Sequence, residues 1–130
     1  MKNLQPLYQQ LGYLFYSIAD ADKQINPKEI QELNKAVQKS WLKYDDSTDE
    51  YGTDAAYYIN IAFEYLTETM PTADEAFQQF EAFYVDNREV FTKELKNQII
   101  DTASDIGHAF AGINKAELNK MAELTLLFNR

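Results

Sequence analysis

An acidic segment near the start of the chain carries the residue types best suited to chemistry. Asp20, Asp22, Gln24 and Glu29 lie within ten consecutive residues. Calcium and other hard cations bind several oxygen ligands, which a loop between two helices can supply. The spacing copies the first three ligand positions of an EF-hand loop, but Ile25 occupies the position of the turn glycine and Glu29 comes two residues early. An ordinary EF-hand is excluded, and the candidate is a calcium-like divalent-cation site at Asp20, Asp22 and Glu29.

The same residues also have an interpretation without metal. Asn26 can cap a helix, and Glu29 then completes a capping box three residues later. Asp20 and Asp22 are then solvated carboxylates at the negative end of the preceding helix, where Lys23 offsets their charge. This interpretation is the simpler one because acidic clusters are common in an acidic protein, and the sequence leaves both open.

Six segments have apolar residues at the spacing of a helix, so the chain is predicted to be all-α. They cover about residues 4–20, 26–43, 53–70, 72–86, 95–106 and 114–130. The third is apolar on most sides and is the candidate central helix. Thr72 with Glu75 predicts a capping box at the start of the fourth, and a break is expected near 86–92. The acidic stretch 43–53 is predicted to be the longest exposed loop.

Helical spacing also predicts which side chains face the core. The predicted inward residues are Ala76, Phe77, Phe80 and Tyr84 in the fourth helix, Leu95, Ile99, Thr102, Ala103 and Ile106 in the fifth, and Leu118, Met121, Ala122, Thr125 and Phe128 in the last. Tyr13, Tyr16 and Tyr57 lie off the apolar stripes of their helices. Two alternatives follow: an exposed aromatic surface for a protein partner, or burial by additional helices.

The last helix starts with a copy of the segment that follows the acidic cluster. Residues 113–118 repeat residues 25–30 at a constant offset of 88, so Glu117 corresponds to Glu29. The apolar register continues outward, since Ile18, Leu33 and Val37 correspond to Ile106, Met121 and Thr125. The two ends of the chain are therefore predicted to be related helical hairpins.

The run SIADADKQINPKEIQEL resembles the TerB-like (tellurite-resistance) module. The family pattern falls on Ala21, Asp22, Ile25 and Glu29, with a weaker copy at Ile113 and Glu117, while Lys23 replaces the family's glycine and Phe110 stands in place of the second aspartate. The resemblance implies an all-helical bundle of two related halves. It also implies divalent metal held by acidic residues at these loops, and use as an accessory domain in larger proteins.

Composition excludes several other classes of protein. The 130 residues include no cysteine, which rules out disulfides and thiolate metal sites. The 21 acidic and 12 basic residues give a net charge of −9, which repels nucleic acid and anionic lipid. The N-terminal segment lacks the pattern of a signal peptide, and no segment has the ~18 uninterrupted apolar residues of a membrane span. We therefore expect a cytosolic protein with no nucleic-acid partner.

Residues suited to catalysis are few. The sequence has no HExxH, GxSxG or glycine-rich phosphate-binding motif. Glu64 with Glu68, or Glu29 with Asp22, are candidates for a dinuclear carboxylate centre, but the Glu-x-x-His pairs of such bundles are absent. His108 is the single histidine, and a lone histidine more often packs or hydrogen-bonds than catalyses. An enzyme is therefore disfavoured.

Together these observations predict one all-α domain over residues 1–130, a bundle of about five to seven helices with two related hairpins around a more apolar middle pair. The expected function is that of a non-enzymatic, cytosolic interaction or adaptor module of TerB-like type in a stress-related context, with a divalent cation as candidate ligand. Two alternatives remain: a purely structural protein-binding domain without metal, and a carboxylate-dependent metal hydrolase. The partner's identity and the oligomeric state do not follow from the sequence.

Overall fold

The computed structural model describes residues 5–19, 31, 35, 54–109 and 115–129. The three continuous ranges form five α-helices, one 3₁₀ turn and no strand, and residues 31 and 35 are helical as well, which confirms the predicted all-α bundle for this part of the chain. The helices are α1 (Gln5–Ala19), α2 (Asp54–Thr69), α3 (Ala73–Asp86), α4 (Lys93–Ala109) and α5 (Lys115–Phe128). None of these described helices is long and apolar enough to cross a bilayer. Most of the predicted helix 26–43 and the predicted acidic loop lie outside the described residues.

The central helix of the bundle is α1, which packs against each of the other four described helices. Residues 14–18 are all buried. Because these five consecutive positions cover more than one turn of 3.6 residues, this part of α1 is enclosed on every side. The prediction of a central helix at 53–70 is therefore wrong. Although α2 packs its Ile59 and Phe63 into the core, it leaves Ile61 and Tyr65 exposed, since apolar composition does not by itself require burial.

The contact between α1 and α2 depends on a glycine. A β-carbon built on Gly12 would lie 2.5 Å from the β-carbon of Ala62 and 2.9 Å from the carbonyl oxygen of Ile59. Carbon atoms normally approach to about 3.5–4.0 Å, so a larger residue does not fit at this position without displacing α2. The small pair Gly12 and Ala62 thus allows the two helix backbones to pack closely.

The tyrosines of α1 are more buried than their positions predict. Tyr16 is 3% exposed, packs edge-on against Phe63 with ring centroids 6.0 Å apart, and its hydroxyl donates to the carbonyl of Pro71 at 2.8 Å. Tyr13 is half-buried and packs against the core. For Tyr16 the alternative of burial by additional helices is the correct one, because neighbours surround α1, whereas Tyr13 is covered only in part. The side chain of Tyr57 lies outside the described part of the structure.

The corner between α2 and α3 combines a strained residue with a strong cap. Met70 has a φ of 55°, a left-handed conformation that residues with a β-carbon rarely adopt, and its amide donates to the carbonyl of Leu66 at 2.8 Å. The predicted capping box is confirmed: the Glu75 amide donates to Thr72 Oγ1 at 3.0 Å, and the Thr72 amide donates to Glu75 Oε1 at 2.9 Å. Pro71 separates the two elements, so the direction of α3 is fixed within three residues.

The predicted break at 86–92 is confirmed, and it contributes to the core. The 3₁₀ turn Arg88–Val90 leads into Phe91, which is buried, and Thr92 Oγ1 accepts from the Leu95 amide at 3.1 Å to cap α4. The ring of Phe91 lies 5.0 Å from that of Tyr84 and 6.1 Å from that of Phe128. This aromatic cluster joins α3, the turn and the end of α5, and helical periodicity alone does not predict it.

The predicted inward faces are confirmed for α3 and for the described side chains of α4. For α5 the prediction is only partly confirmed. Leu124 and Leu127 are buried together with Phe128, whereas Ala122 and Thr125 are exposed. The hydroxyl of Thr125 donates to the carbonyl of Met121 at 3.0 Å, one turn back in its own helix, and needs no core partner. Thr125 is therefore not an inward position, and the prediction that it continues the apolar register as the counterpart of Val37 is wrong for Thr125. Ile25 and Ile113, which open the two copies, lie outside the described residues, and the relation between the hairpins stays a prediction.

The Gly12 contact generates the first prediction. Replacing Gly12 with alanine is expected to lower the free energy of unfolding, because an overpacking cost of about 1–3 kcal/mol exceeds the gain of up to about 1 kcal/mol from the better helix former. Urea unfolding of Gly12→Ala and of Gln9→Ala, an exposed position on the same helix, separates the two effects. A Gly12→Ala variant as stable as the wild type would contradict the close approach.

Candidate functional site

The predicted metal ligands lie next to the central helix in sequence but outside the described residues. Asp20 directly follows Ala19, the last residue of α1, and Asp22 and Glu29 come soon after it. The divalent-cation site at these three residues therefore stays a prediction.

Only part of the second copy of the motif is described, and that part only in its backbone. His108 belongs to α4 and Glu117 to α5, while Phe110 lies outside the described residues. The side chains of His108 and Glu117 are not among those described, so their relation to the first copy is a prediction too.

The acidic side chains of α2 do not form a metal-binding group. Glu64 and Glu68, the sequence candidates for a dinuclear centre, are both exposed on α2. Among the residues that the structure describes, no three histidine or carboxylate side chains are grouped closely enough to hold a metal ion.

A cleft between α3 and α5 brings charged groups together. It has a volume of about 430 Å³, and its lining includes Asp74, Phe77 and Glu81 of α3 and Lys120, Glu123 and Leu126 of α5. We call it the acidic cleft, because it contains three carboxylates and one ammonium group. Both walls pack against α1, and Lys120 of α5 bonds to Asp74 of α3 across the cleft.

Lys120 is the most buried charged residue in the acidic cleft. Its side chain is only 10% exposed, and its ammonium group donates to Asp74 Oδ1 and, at 3.3 Å, to Glu123 Oε2. The same Nζ atom lies 5.2 Å from the centroid of the Phe77 ring, within range of a cation–π interaction. The aliphatic stem of the lysine is thus buried while its head reaches the two carboxylates.

This environment keeps Lys120 charged. Partial burial lowers the pKa of the ammonium group, but the hydrogen bonds with Asp74 and Glu123 and the attraction of both carboxylates outweigh that effect, so the pKa lies above its ordinary value of 10.5. A lysine nucleophile or base needs a lowered pKa. Lys120 therefore acts as a fixed cation that links α3 to α5.

The outer edge of the acidic cleft remains open to solvent. The side chain of Asp74 is 78% exposed and that of Glu123 is 50% exposed, although both contact Lys120. Leu126, on the same wall as Glu123, is 68% exposed. The solvent-facing edge of the cleft therefore presents carboxylates beside an apolar side chain.

Sequence reasoning missed the acidic cleft. Asp74 falls in the first turn of α3, where a carboxylate also interacts favourably with the helix dipole, and Lys120 with Glu123 has the spacing of a helical ion pair. Both signals are local and are common on solvated helices. The pairing of Asp74 with Lys120, which are 46 residues apart, follows only from the tertiary packing.

A second lysine has a structural role. Lys96 donates to the carbonyl of Phe128 at 3.0 Å, and its Nζ lies 5.5 Å from the Tyr84 ring and 5.7 Å from the Phe128 ring. A cation at this position satisfies a terminal carbonyl of α5 and complements the negative end of the helix dipole. Lys96 thus ties the end of α5 to α4 and the aromatic cluster.

The raised pKa of Lys120 generates a pH prediction. A lysine whose pKa is higher in the folded state stabilises the protein fully below its unfolded pKa of about 10.5, and loses that contribution as the pH rises through the higher folded value. We expect Lys120→Met to be less stable than the wild type by about 1 kcal/mol at pH 9, and this difference to narrow at pH 11.5.

The measurement is urea unfolding at both pH values. Lys93→Met, at an exposed position of α4, removes the same charge without touching the acidic cleft and should show a smaller difference at pH 9. A Lys120→Met difference that stays constant or widens between pH 9 and pH 11.5 would contradict the assignment.

Comparisons with models of protein families, with curated proteins and with solved structures find no match to this chain.

Proposed function

We propose that this chain is a non-enzymatic, cytosolic interaction module of TerB-like type, acting as an adaptor in a stress-related context. The proposal is supported by the resemblance of residues 17–33 to that module and by the all-α bundle of the described residues. The observation that carries it is the position of α1: the helix that leads directly into the acidic motif is the one that contacts every other described helix.

In this proposal a divalent cation bound by Asp20, Asp22 and Glu29 controls the module. Three carboxylates without a cation repel one another and oppose the negative end of the α1 dipole. A bound cation neutralises this charge, which favours a closer arrangement of α1 and the segment after it. Because α1 is the packing centre, such a change reaches the surfaces of the surrounding helices.

The acidic cleft does not supply a reactive lysine. Lys120 is paired with two carboxylates that raise its pKa, so it is a poor nucleophile or base at neutral pH. The groups around it are suited to recognition, because exposed carboxylates adjoin the exposed Leu126.

Metal binding is tested by a thermal-shift series. Calcium, manganese and zinc are titrated into the wild type, and we expect at least one to raise the Tm, since a ligand at a hundred times its dissociation constant stabilises the native state by about 2.7 kcal/mol. Asp22→Asn should abolish the rise, because it removes one ligand.

Two variants separate the loss of a ligand from the loss of a helix cap. Glu29→Gln changes both the candidate ligand and the predicted capping box, whereas Asp22 has no capping role in the sequence pattern. If no metal changes the Tm of the wild type, the cation part of the proposal is wrong and the metal-free binding domain takes its place.

The interaction part is tested separately. The tagged chain is expressed in its native cell, cross-linked and purified, and we expect a stoichiometric protein partner to be recovered. An Asp22→Asn variant should recover less of this partner if the cation controls the module. Recovery of the chain alone, with a monomeric elution profile, would contradict an adaptor role.

A further inference from the structure

We draw no further inference here: the strongest candidate, the exposed apolar surface patch that Ile61 and Tyr65 form one turn apart on α2, carries none because nothing in the described part of the chain shows what covers it.

Discussion

The close approach of α1 and α2 at Gly12 is the constraint on which the rest of the bundle depends. A β-carbon at this position would meet Ala62 and the backbone of Ile59, so the absence of a side chain sets the distance between the two helices. At that distance α2 covers one side of α1, and α3, α4 and α5 also pack against it. The core is therefore organised around one enclosed helix, and every other described element is positioned relative to it.

The seam between α3 and α5 is held in a different way. Where α1 meets α2 the packing is apolar and close, whereas α3 and α5 are linked across the acidic cleft by Lys120, which contacts Asp74, Glu123 and the Phe77 ring. An ion pair of this kind contributes modestly to stability because both carboxylates face solvent. It leaves the seam open to solvent and charged.

Features that depend on residues close together in the sequence could be predicted, whereas features that depend on tertiary packing could not. The capping box at Thr72 and the break before Phe91 follow from residues a few positions apart, and both were predictable. The enclosure of α1, the glycine contact and the pairing of Asp74 with Lys120 depend on which helices become neighbours, which periodicity does not specify. For the same reason α2, with apolar residues on most sides, was a misleading candidate for the centre. The predicted cation site, at Asp20, Asp22 and Glu29, lies outside the described residues.

The left-handed residue between α2 and α3 also bears on how the acidic cleft is oriented. Met70 takes a conformation that a glycine would adopt at no steric cost, and the residues around it, the Tyr16 hydroxyl on Pro71 and the reciprocal cap of Thr72 and Glu75, hold it there. Several hydrogen bonds therefore determine the angle between α2 and α3. Asp74 is the second residue of α3. The position of its carboxylate relative to α5 therefore depends on this corner as well as on the hydrogen bond from Lys120.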